Sequence, residues 1–225
     1  MTKVRKTDPA TINYKSEVLR KSIHLTSLSI SFAYYYVSRE FALSLLIPAT
    51  LIVVFADLLR YYYPPFSKLF YGVFGFMLRR HEVDKKKKNL NGATYVMIAV
   101  TLSVLFFPKA FVIPAVAVLI IGDIAAALIG RKWGKHKFLS KSFEGTLAFF
   151  IAGCIVILAS PKVNGGLPEY LIGFIAVAAS AIAENISFGW ADDNFTIPLT
   201  MCITMSILYY FFMPGITIVL PNVPN

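Results

Sequence analysis

Seven apolar runs, at 17–37, 41–62, 92–107, 110–130, 146–160, 168–187 and 194–212, decide which solvent this chain can fold in. A helix needs about 20 residues to cross the hydrocarbon core of a bilayer. Backbone N–H and C=O groups find no water there, so apolar segments of this kind become helices that satisfy themselves. A soluble fold of the same 225 residues, with 57% hydrophobic and 15% charged residues, would leave much of that apolar surface in water. The expected fold is therefore all-α: a polytopic integral membrane protein of about seven transmembrane helices, one membrane domain over 1–225. The third and fifth runs are short for a crossing, so six or eight spans are the alternatives. No small-residue cleavage pattern follows "SISFAYYYV", and the first run is expected to be retained.

Charge sets the orientation. With seven crossings, all but Arg39, Lys109 and Lys162 of the 22 Lys and Arg residues fall on one side. The positive-inside rule puts that side in the cytoplasm, with the N-terminus inside and the C-terminus outside a plasma or inner membrane. A basic inner face attracts anionic lipid rather than nucleic acid. Residues 1–14 read as a flexible cytoplasmic tail, and 64–91 as the longest cytoplasmic loop. In that loop Phe66, Leu69, Phe70, Val73, Phe74 and Met77 recur at helical spacing behind Pro64 and Pro65. The spacing predicts an amphipathic helix lying at the interface, either a surface anchor or a gate for lipid. The lysine run 85–88 reads as solvated or lipid-facing charge. Cys154 and Cys202 lack metal-ligand spacing and read as packing residues. The sequence carries no signal of oligomeric state.

The acids converge. Under the same topology only Glu40 and Glu169 of the 12 acids lie outside. Asp57, Asp123, Glu144, Glu184, Asp192 and Asp193 all fall near cytoplasmic helix ends, as do Asn91, Thr94 and Asn194. Asp123 lies roughly 10 Å deep, counting back from Gly130 at the helix rise. An ionisable group at that depth costs several kcal/mol unless it is paired or watered, and it is a functional candidate by default. After it come Gly130, Arg131, Lys132, Gly134, Lys135, Lys137 and Lys141. Cations beside acids point to a polyphosphate with a divalent metal: carboxylates would hold Mg²⁺, while lysines and helix N-terminal amides would hold phosphate oxygens. Ser142 and Thr146 flank Glu144 at such a helix start. Asp192 and Asp193 repel one another and call for a metal or an approaching cation, unless one of them merely caps the last helix. Arg20, Lys21 and His24 form a group that binds phosphate or anchors the first helix at the interface. Neither a P-loop nor a protein-kinase motif set is present.

The stretches "LRKSIHL", "LNGATY", "GDIAAALIGRKWG", "KSFEGTLA" and "AENIS…WADDNFTIPL" follow one another from Leu19 to Leu199. Together they resemble the CTP-dependent polyprenol kinase family, which includes dolichol kinase, phytol kinase and the fungal CTP-dependent diacylglycerol kinase. The block from Gly122 to Gly145 is its most specific part. The resemblance implies transfer of the γ-phosphate of CTP to a membrane lipid alcohol, isoprenoid or diacylglycerol, with Mg²⁺ or another divalent cation. It implies Asp123, Glu144 and Asp193 as catalytic acids. Asp123, Glu144, Asp192 and Asp193 would be metal ligands, with Asp123 serving as ligand or base. Asn91, Thr94, Gly130, Arg131, Lys132, Gly134, Lys135, Lys141, Ser142 and Gly145 would surround the nucleotide. Arg20, Lys21, His24, Glu184 and Asn194 would sit toward lipid or phosphate. The alternative is a phosphatidate cytidylyltransferase, whose C-terminal Pro-Gly-His-Gly-Gly signature is absent from this sequence. A third reading is a non-enzymatic membrane protein or transporter. The outer halves of the spans lack the acids that an ion path would need.

Overall fold

The computed structural model describes residues 14–83, 88–187 and 192–224. Ten α-helices occur among them: α1 Tyr14–Thr26, α2 Leu28–Tyr36, α3 Arg39–Tyr62, α4 Pro64–Phe74, α5 Arg80–Val83, α6 Gly92–Phe106, α7 Lys109–Trp133, α8 Phe143–Ala159, α9 Leu167–Ile186 and α10 Asp193–Phe212. Residues 1–13, the lysines at 85–87 and the stretch 188–191 between the last two helices lie outside the described residues.

Each apolar run has become helix, and the capping residues explain where the helices start. The side chains of Ser38, Asn91, Ser142 and Asp192 accept from backbone N–H groups in the first turns of α3, α6, α8 and α10. Pro64 and Pro65 open α4, where a missing N–H costs nothing. Four helices are long and apolar enough to cross a bilayer: α3, α7, α9 and α10. Helices α6 and α8 have 15 and 17 residues, and the first expected span is divided between α1 and α2 at Ser27. Length alone therefore does not establish seven crossings. One departure from an all-α chain is a two-stranded hairpin, β1 Lys137–Phe138 pairing antiparallel with β2 Lys141–Ser142.

Helix α7 is the axis of the bundle. Every residue from Lys109 to Val116 is buried, and the helix packs on α8, α10 and α2. Helix α9 lies against α8 and α10, while α6 bridges α10 to the peripheral α3. The outer surface of α3 exposes Phe41, Leu45, Leu51, Ile52 and Phe55. An apolar belt of this kind suits a lipid environment.

The expected interfacial helix is α4. It leaves Leu69, Val73 and Phe74 exposed. It is joined to α3 through Arg60, whose guanidinium lies 5.0 Å from the Phe70 ring centre and 2.7 Å from Asp57. Asp57 in turn accepts from the Asn91 N–H at the start of α6. At the far end of the bundle, buried Glu169 accepts from Tyr209 and from the backbone N–H groups of Val163, Asn164 and Gly165. That carboxylate is fully engaged in holding the loop between α8 and α9.

Candidate active site

Helices α7, α9 and α10 bring one carboxylate each to the same buried point. Oxygens of Asp123, Glu184 and Asp193 lie within 4.8 Å of one another, and these residues are 2, 3 and 6% exposed. Three carboxylates at this distance in low dielectric repel strongly unless cations stand between them. Lys21 of α1 reaches Asp123, and His24 Nε2 stands 3.7 Å from the same oxygen. Lys141 of β2 donates to Glu184 at 2.5 Å and to Asp193 at 3.2 Å. Arg79 lies 3.3 Å from Asp192 and 3.7 Å from Asp193.

The surroundings hold these groups in place. Asn185 Oδ1 accepts from the Ser140 and Lys141 N–H groups, which fixes the hairpin to α9 and presents the Lys141 side chain to the acids. Asn194 donates to Asp192. Gly92 lies where a Cβ would stand 3.1 Å from Asn194 Nδ2 and 3.6 Å from Arg20, so the start of α6 forms part of the rim. Burial, with the Asp193 charge beside it, pushes the Asp192 carboxyl up to about 7. Burial works against the Lys141 ammonium, but Asp193 and Glu184 hold its pKa above the ordinary lysine value.

The donor set is all oxygen and triply anionic, which suits a hard divalent cation. Metal–oxygen distances near 2.1 Å place opposite ligands about 4.2 Å apart, so carboxylates within 4.8 Å need only small movements to share an ion. Glu184 Oε2 is buried and has no hydrogen-bond partner, which leaves a lone-pair donor free for it.

The arrangement sorts the residues that the sequence singled out. Asp123, Asp193, Glu184, Lys141, Lys21 and His24 come together. Asp192 caps α10 and pairs with Arg79. Asn91 caps α6, and Thr94, fully buried, has a hydroxyl without a hydrogen-bond partner. Arg20 pairs with Glu17, and so does Arg131.

Glu144 stands apart from the acid group, where it was expected as a ligand. Its carboxylate binds the His136 ring at 2.8 Å and the His136 N–H, bracing the hairpin. Glu184, expected only toward lipid or phosphate, takes the place beside Asp123 and Asp193. Lys132 lies over the Trp133 ring at 4.6 Å, and Lys135 is exposed.

The glycines of the basic loop also serve another end. A Cβ on Gly134 would stand 2.3 Å from the Gly130 carbonyl and 2.7 Å from Ser142 Oγ; one on Gly130 would stand 3.3 Å from Gly145 Cα. Ser142 closes on both glycines, because α7 and α8 meet there nearly backbone to backbone. Gly134→Ala is accordingly expected to lower stability by about 1–3 kcal/mol, the usual cost of overpacking, seen as an earlier thermal transition in detergent.

Arg79, Glu17 and Glu82 were not anticipated. Glu82 is 2% exposed and accepts from the Arg79 N–H, so it braces the arginine that faces the acids. The only signal in the sequence was the position of Arg79 just after an amphipathic helix.

No family model matches the chain, and no solved structure matches it. Among curated proteins, CTP-dependent diacylglycerol kinase 1 of Schizosaccharomyces pombe is 29% identical over 202 residues, covering 82% of this chain and 90% of its own. The Saccharomyces cerevisiae protein of the same name is 28% identical over 219 residues, covering 85% of this chain and 73% of its own. A phytol kinase of Synechocystis is 35% identical over 83 residues, about a third of each chain (35% and 36%).

Proposed function

We infer that this chain is a member of the CTP-dependent polyprenol kinase family and transfers the γ-phosphate of CTP to the hydroxyl of a membrane lipid alcohol of isoprenoid or diacylglycerol type. The observation that carries this reading is the buried group of Asp123, Glu184 and Asp193 with Lys21, Lys141 and Arg79 around it. Phosphoryl transfer needs positioning and charge neutralisation more than covalent chemistry, and this group supplies both.

Asp123, Glu184 and Asp193 would hold Mg²⁺ or a similar ion, which when bound supplies Lewis-acid neutralisation of phosphate oxygens. Lys141 and Arg79 bind and orient the anionic phosphates, while Lys21 neutralises Asp123. His24 Nε2 is buried, has no hydrogen-bond partner and lies beside Asp123. It takes the proton of the lipid hydroxyl. The packed helices around the acids keep water from competing with that hydroxyl.

The direct test uses purified protein, a panel of lipid alcohols and CTP labelled at one phosphorus. Label from the γ position is expected on the lipid. Label arriving from the α position instead would mean cytidylyl transfer to a phosphorylated lipid.

The charge pattern supports a site at the cytoplasmic leaflet of a seven-crossing chain, where soluble CTP and lipid meet. With Cys154 and Cys202 replaced, an impermeant thiol reagent applied from outside is expected to label Lys162→Cys but not Lys137→Cys. Outside labelling at position 137 would overturn both orientation and site placement.

A further inference from the structure

Lys21 and Lys141 both neutralise the acid group, but their situations differ. The Lys21 side chain is 2% exposed and closed in against Asp123. The Lys141 side chain is 36% exposed, so its stem borders solvent while its ammonium lies between the two acids. Its backbone is held: the Lys141 N–H is bonded to Asn185, and β2 is paired to β1. A fixed backbone with a flexible four-carbon stem lets the charge move while the hairpin stays in place.

The carboxylates that Lys141 bridges are 4 and 7% exposed at their side chains. The ammonium engages only one oxygen of Glu184, and Oε2 is buried with no hydrogen-bond partner. With Lys141 on the pair and Arg79 3.7 Å from Asp193, Glu184 Oε2 is still left unsatisfied. A divalent ion would use both the added charge and the spare oxygen.

We propose that Lys141 is a displaceable counter-ion: it occupies the Glu184–Asp193 pair until a divalent cation takes its place, and its released ammonium then binds the nucleotide phosphates. This rests on the metal-holding role given above to Asp123, Glu184 and Asp193. The consequence is a linkage. A metal arriving alone must evict an ammonium into solvent, whereas a metal arriving with nucleotide gives that ammonium a phosphate partner. Metal and nucleotide thus raise one another's affinity, with the lysine as the coupling element.

Mn²⁺ binding to the full chain in neutral detergent, followed by electron paramagnetic resonance, tests this without turnover. Wild-type protein is expected to bind Mn²⁺ weakly alone and more tightly with a non-hydrolysable CTP analogue. Lys141→Met is expected to bind Mn²⁺ alone at least about tenfold more tightly than wild type, since a charge-assisted contact no longer has to be broken, and to lose most of the gain from the analogue. Its melting temperature should also rise more on adding Mn²⁺ than that of wild type. If Lys141→Met does not yield folded protein, Lys141→Gln carries the same comparison. Equal or weaker Mn²⁺ affinity in the lysine variants, with binding still abolished by Asp193→Asn, overturns the displacement while the metal site stands. Mn²⁺ binding that Asp193→Asn leaves unchanged overturns the metal site and the displacement with it.

Discussion

Asp123→Asn lowers turnover at least about a hundredfold, the scale on which a positioned acid or base acts, while the protein remains folded. The substitution keeps the size of the side chain and removes a charge that four neighbouring groups feel. Lys21 contacts this carboxylate directly, His24 lies 3.7 Å from it, and Glu184 and Asp193 share its surroundings. It also leaves the Lys21 ammonium buried without its partner, and an orphaned charge of that kind costs about 3–5 kcal/mol. Loss of activity by itself would then have two explanations. The double variant Lys21→Met with Asp123→Asn separates them, because it removes the orphaned charge. Wild-type melting behaviour with absent turnover in the double variant assigns the loss to chemistry. Near-normal turnover of Asp123→Asn would reduce Asp123 to a helix-packing residue.

Glu184→Gln and Glu144→Gln are expected to part company. Glu184 is 3% exposed and within reach of Asp123 and Asp193, whereas Glu144 braces the hairpin from outside through His136. Turnover should fall at least about a hundredfold for Glu184→Gln and change by no more than about threefold for Glu144→Gln, since exposed ion pairs contribute little. Rates measured over a range of divalent-cation concentrations sharpen the contrast. The Glu184 variant should need more metal for half-maximal rate, and the Glu144 variant should not. The opposite order of effects would mean that the first turn of α8, not the end of α9, faces the reacting phosphate.

The sequence by itself determined the solvent, the helices and the general address of the chemistry. Apolar runs must become helices in lipid, because no other local structure satisfies their backbone there. Ser38, Asn91, Ser142 and Asp192 marked helix starts through capping chemistry that is local to each. The uneven placement of acids and cations, counted along the chain, was enough to gather Asp123, Asp193 and Lys141 at one end. The motifs from Leu19 to Leu199 were enough for a resemblance to a kinase family whose named members the chain is similar to.

Only the tertiary structure decided which charges meet. Glu144 and Glu184 both sit at helix ends, and spacing along the chain cannot say which of them turns inward. In the folded chain Glu144 turns to His136 while Glu184 turns to Asp123 and Asp193, and α7 and α8 approach closely through Gly130, Gly134 and Gly145. Lys21 lies 102 positions from Asp123, and Arg79 lies 113 from Asp192. No local pattern encodes such pairs. They exist because the buried carboxylates of α7, α9 and α10 must be neutralised by the cations that α1, the hairpin and the segment after α4 carry to them.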